Sequence, residues 1–75
     1  NIREVGIGSI VTVKEMTGKY EMHLKLVSSA ESHLSENYIS DESPIGKSLI
    51  GHKLNDDVIV MTPSGMIHLL IIEIQ

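Results

Sequence analysis

Seventy-five residues, 41% of them apolar, supply one hydrophobic core and not two; a chain this short buries only about 60% of its unfolded surface. Six basic against ten acidic residues leave a net charge of −4, and Arg3, Lys14, Lys19, Lys25, Lys47 and Lys53 are scattered, which argues against a phosphate-tracking surface. With Tyr20 and Tyr38 the only aromatics there is no base-stacking platform, and with no cysteine there are neither disulfides nor thiolate metal sites.

The chain opens on Asn1 rather than Met and carries no charged-then-apolar leader, so it reads as a piece of a longer, non-secreted polypeptide. No apolar run approaches the roughly 18 residues of a membrane span, and a soluble, cytoplasmic domain is expected. Val5-Gly6-Ile7-Gly8-Ser9 is a glycine-punctuated approach to Ile10-Val11-Thr12-Val13, a β-branched run that predicts a first strand ending near Glu15. A dinucleotide loop needs a third glycine and a following helix, and here a strand follows.

Thr17-Gly18 predicts a turn. From Lys19 to Val27 the chain alternates, with Tyr20, Met22, Leu24 and Leu26 on one face and Glu21, His23 and Lys25 on the other, the pattern of a half-buried strand in a hairpin with the first. Ser28 to Asn37 is polar and aperiodic and predicts a surface loop, and Tyr38-Ile39 a short strand.

Ser40 to Gly51 is the one stretch where every local signal points to a helix. Ser43 can cap it, Pro44 suits its first position, Gly51 supplies a left-handed stop, and Asp41 and Glu42 lie beside its positive end. Ile45, Leu49 and Ile50 form its apolar stripe, and two turns of helix must lie on a sheet to persist.

His52 to Asp56 then predicts a turn with Leu54 tucked inward, and Asp57-Val58-Ile59-Val60-Met61 a central strand. Thr62-Pro63-Ser64-Gly65 predicts a tight turn. The last strand, Met66 to Ile74, is apolar on both faces, with Ile67, Leu69 and Ile71 on one and Met66, Leu70 and Ile72 on the other. The second face is expected to meet solvent, a further domain or another copy of the chain, so self-association through this strand is one expectation.

No catalytic constellation emerges, and neither metal nor cofactor is expected. Gly46-Lys47-Ser48 copies the end of a phosphate loop, but Asp41 stands where that motif needs glycine, and a carboxylate repels phosphate. His23, His33, His52 and His68 share no ligand-like spacing. Asp41-Glu42 and Asp56-Asp57 are sequence neighbours that suit cap and turn positions, not opposed acids around a cleft. An acidic surface suits a basic protein partner.

The blocks Val5-Gly-Ile-Gly-Ser-Ile-Val-Thr-Val13, Ile39-Ser-Asp-Glu-Ser-Pro-Ile-Gly-Lys-Ser-Leu-Ile-Gly51, Asp57-Val58 and Thr62-Pro63-x-Gly65 closely resemble the C-terminal domain of the bacterial transcript cleavage factors GreA and GreB. The resemblance covers nearly the whole chain and implies an α+β, FKBP-like fold, a curved antiparallel sheet wrapped around one short helix, as a single domain over residues 1–75. It also implies a docking module that sits at the rim of the RNA polymerase secondary channel and grips a coiled coil of the β′ subunit. The family's catalytic tip, which helps hold magnesium, lies on an N-terminal coiled coil absent from this chain, so the domain is expected to bind and not to act as an enzyme.

The family's polymerase contact centres on the loop before the helix, which matches Glu42, Ser43 and Pro44, with Asp41 beside them. Capping the helix and meeting a partner are compatible roles for these residues. Two departures stand out: Leu70 and Ile72 make the last strand more apolar than the family pattern, and Asp41 makes the loop more acidic. The resemblance also raises Gre-like regulators with a different N-terminal arm, such as anti-cleavage homologues and the Rnk-type nucleoside diphosphate kinase regulator. An FKBP-type peptidyl-prolyl isomerase is disfavoured, because that pocket needs several aromatic side chains.

Overall fold

A computed structural model describes residues 4–75; Arg3, one of the six basic residues, lies outside them. Five strands and one α-helix run in the order β1 (Ile10–Glu15), β2 (Tyr20–Val27), β3 (Tyr38–Ser40), α1 (Pro44–Leu49), β4 (Asp57–Thr62) and β5 (Gly65–Ile74). They form one sheet of spatial order β3-β2-β1-β5-β4. The helix packs against both edge strands, β3 and β4, so the sheet curls around it. The expected α+β architecture is present.

The β1–β2 hairpin pairs Ile10 with Lys25 through Glu15 with Tyr20. Its alternation puts Val11, Val13, Leu24 and Leu26 into the core, joined by Val58, Val60, Leu69, Ile71 and Leu49. β5 lies between β1 and β4 and is antiparallel to both. One extra residue, Ile72, bulges from β5 between the Thr12–Glu73 and Val13–Ile71 pairs. The bulge shifts the alternation by one, so Ile74 as well as Ile71 packs on the core.

Several expectations need correction. The sheet is mixed, since β3 pairs parallel to β2, with Lys25 opposite Tyr38 and Val27 opposite Ser40. The long connection between β2 and β3 makes that possible, because parallel strands need a crossover and cannot be joined by a tight turn. That connection is also not wholly irregular: Ser29–Leu34 form a 3-10 helix with no buried residue. Asp57–Thr62 is an edge strand and not a central one, and its alternation leaves Ile59 and Met61 exposed on the outer face while Val58 and Val60 are buried on the inner one.

β5 is interior to the sheet, paired with β4 from Gly65 to Leu70 and with β1 from Leu69 to Ile74. Its outward side chains do remain at the surface, with Met66 71% exposed beside Met61. Leu54 does not tuck inward and is 51% exposed. The turn takes its inward tie from backbone instead, since Asn55 N–H donates to the Ile71 carbonyl at 2.8 Å. Ile50 falls outside the apolar stripe because it is the C-cap, where the chain has already left helical geometry.

Candidate functional site

The corner between β3 and α1 is built on one carbonyl. Ser40 O accepts from the Ser43 backbone N–H at 3.1 Å and from the Ser43 hydroxyl at 2.7 Å. The same hydroxyl oxygen accepts from Gly46 N–H at 3.1 Å, which is the N-cap bond expected of Ser43. Glu42 N–H donates to the Ser40 hydroxyl oxygen at 3.0 Å, and Asp41 N–H to the Val27 carbonyl at 3.0 Å. Each backbone donor from Asp41 to Ser43 is therefore held by the sheet or by Ser40, and Pro44 has no donor to satisfy.

This geometry leaves Glu42 and Pro44 exposed and Asp41 and Ser43 half-buried. Among the described residues neither the Asp41 nor the Glu42 carboxylate has a hydrogen bond or ion pair. Two carboxylates without partners and a proline ring thus project from a backbone that cannot easily move. The four expected residues, consecutive in the chain, form one corner in which Glu42 and Pro44 are exposed.

Gly46 explains why the phosphate-loop likeness is only verbal. A β-carbon there would sit 1.9 Å from Ser40 O, so glycine is needed for α1 to lie against the end of β3. The Ser48 hydroxyl donates back to the Pro44 carbonyl at 2.8 Å within the helix. At the far end Gly51, at φ +87°, turns the chain out of the helix as expected. Gly51 N–H donates to Val5 O at 2.9 Å and Val5 N–H to His52 O at 2.9 Å, so the buried Val5 clamps the helix exit.

Three of the four histidines fall into side-chain pairs. His52 Nδ1 lies 3.0 Å from Asp56 Oδ2, which also accepts from Lys53 N–H at 2.9 Å. That backbone donor, then the His52 ring, lowers the Asp56 pKa. His68 Nε2 lies 3.1 Å from Asp57 Oδ1, and His23 Nδ1 3.0 Å from the Thr12 hydroxyl. Among the described residues no group of three or more His, Cys, Asp or Glu could hold a metal ion. The two tyrosines lie most of the length of β2 apart: Tyr20 starts that strand, whereas Tyr38 sits under the Lys25 ammonium at 5.4 Å.

Two residues carry more than their sequence context announced. Glu15 is nearly buried, and its carboxylate accepts from the backbone N–H groups of Gly18 and Thr17, which together lower its pKa. The Glu-x-Thr-Gly spacing was a legible signal for a carboxylate folding back on a turn. Ile7 sits at the tip of a turn closed by Ser9 N–H to Gly6 O at 3.0 Å, with Gly8 at φ +95°, and is 59% exposed. Only the glycines flanking it were readable.

The matching family model, described as transcription elongation factor, GreA/GreB, C-terminal, covers residues 1–75. Transcription elongation factor GreA of Syntrophomonas wolfei is 45% identical over 71 residues, 95% of this chain and 45% of that protein. GreA of Caldanaerobacter subterraneus is 46% identical over 72 residues, 96% of this chain and 46% of that protein. The chain therefore spans a little under half the length of these relatives. Among solved structures, Gfh1 of Thermus aquaticus superposes with TM-score 0.86 at 32% identity, covering 100% of this chain and 50% of that one. GreA factor homolog 1 of Thermus thermophilus gives 0.83 at 31% identity over the same shares.

Proposed function

Because the chain belongs to the GreA/GreB family of transcription elongation factors, as its C-terminal domain, we propose that it docks such a factor onto bacterial RNA polymerase through Asp41, Glu42, Ser43 and Pro44. The contact falls at the rim of the secondary channel, on the coiled coil of the β′ subunit. The observation that carries this reading is the corner itself: two carboxylates with no partner among the described residues, and an exposed proline, on a backbone pinned by Ser40. Such a surface meets a cationic helical hairpin without first having to order itself, which lowers the entropic cost of binding.

In this reading the domain binds and catalyses nothing. Transcript cleavage in backtracked complexes is stimulated by a separate coiled-coil arm of the factor. Glu42→Lys and Pro44→Ala should weaken binding of core RNA polymerase while the circular dichroism melt stays unchanged. Wild-type affinity in both variants would refute the assignment.

The likeness to Gfh1, with TM-scores of 0.83 and 0.86, favours one further reading, a Gre-like regulator that docks in the same way but carries a different arm. A transcript-cleavage assay on halted complexes with the full-length protein separates the two. Stimulated cleavage selects the elongation factor, and inhibition selects the regulator.

A further inference from the structure

We infer that Ile7 is an apolar anchor of the docking surface, seated on the partner beside the acidic corner, so that the partner segment must present an apolar side chain next to its lysines or arginines. This rests on the docking reading above and adds an apolar residue outside the corner.

The placement follows from the backbone. Ser9 N–H donates to Gly6 O, Gly6 N–H to the Ser9 hydroxyl oxygen at 3.0 Å, and Gly8 takes φ +95°, so Ile7 occupies the outer position of a closed four-residue turn. Gly8 N–H then donates to Leu26 O at 2.7 Å while Leu26 N–H donates to Ser9 O at 3.0 Å, two residues facing one, which is the glycine bulge that often follows such a turn. The turn is thereby locked onto the end of β2. On the other side of that same end, Val27 pairs with Ser40 and Val27 O accepts from Asp41 N–H at 3.0 Å. The Ile7 turn and the acidic corner thus flank one strand terminus, about 10 Å apart at two strand spacings.

One partner helix is about that wide with its side chains, so it can touch both at once. A β-branched side chain on a rigid turn loses little freedom when it is covered, whereas the exposed Glu42 carboxylate gains little from direct contact in water. The two therefore divide the work: charge on the corner speeds encounter, and burial of Ile7 slows departure.

Binding kinetics on immobilised core RNA polymerase test this. Ile7→Ala should raise the dissociation rate about five- to tenfold and leave the association rate and its salt dependence unchanged. Ile7→Met should restore near-wild-type dissociation, because it returns apolar area without the original shape. Glu42→Lys should act mainly on association. An unchanged dissociation rate in Ile7→Ala, or a Met variant as weak as the Ala variant with an intact melt, overturns the anchor. If Ile7→Ala is silent and Glu42→Lys weakens binding, the docking reading survives without it; if both are silent, both fall.

Discussion

A β-carbon at residue 46 would lie 1.9 Å from the carbonyl oxygen of Ser40, closer than two such atoms can approach, so the helix and the end of β3 can meet in this way only through glycine. Because that carbonyl also receives both donors of Ser43, any displacement of α1 unseats the cap and the corner together.

Gly46→Ala is therefore expected to cost about 2–4 kcal/mol, as an overpacked contact against backbone that has no soft neighbour to yield. The usual gain from replacing a helical glycine with alanine, about 1 kcal/mol, is too small to offset it. A urea titration followed by circular dichroism measures this. A midpoint equal to or above that of the parent would show that the helix can slide without loss.

Two leucines of similar sequence context should behave in opposite ways. Leu49 is fully buried between helix and sheet, and Leu49→Ala should cost about 2–5 kcal/mol, enough to unfold a domain of this size at 37 °C. Leu54 is half exposed on its turn, and Leu54→Ala should change stability by less than about 0.5 kcal/mol. Thermal melts of the two variants check the pair.

That contrast marks how far the sequence could be read. The alternation from Tyr20 to Leu26 and the Ser43, Pro44 and Gly51 signals are local, and strand, cap and stop all fall where they point. Strand position is not local. Asp57 to Met61 is apolar enough for a central strand, and only the pairing of β5 with β1 puts it at the edge. Leu54 failed for a related reason, since apolar character predicts burial only when the backbone points inward, and here Asn55 at φ +71° sets the direction of the turn. The docking role proposed for Asp41 to Pro44 came from a resemblance, whereas the proposal for Ile7 needed its turn to be seen beside the end of β2.

Acid should expose the contribution of Glu15. The Gly18 and Thr17 N–H groups hold its folded-state pKa below the unfolded value, so the stabilisation is complete above the ordinary carboxylate range, about 4, and is lost as pH falls through the lower folded value. Glu15→Gln keeps the shape and removes the charge, and it should lower the urea midpoint at pH 7 while flattening its decline toward pH 3. Asp56 shifts in the same direction, so some acid sensitivity should remain in the variant. An identical slope in parent and variant would mean that the Glu15 contacts persist when the acid is protonated.

The charges of the corner can be separated from its shape. Asp41→Asn and Glu42→Gln preserve side-chain volume on a backbone held by Ser40 and Val27, so the double variant should fold like the parent and present the same contour. Neither carboxylate has a cation beside it among the described residues, so removing both charges leaves no buried group unsatisfied and costs the fold no more than their weak attraction to the positive end of the helix. The loss should fall on encounter. Against core RNA polymerase the association rate should drop about three- to tenfold at low salt, and the gap should close as ionic strength rises and the Debye length shrinks to a few ångströms. Stopped-flow measurements at two salt concentrations read this directly. If the deficit instead persists at high salt and resides in the dissociation rate, the carboxylates make short, desolvated contacts in the complex, and the corner is a specific clasp and not a steering charge.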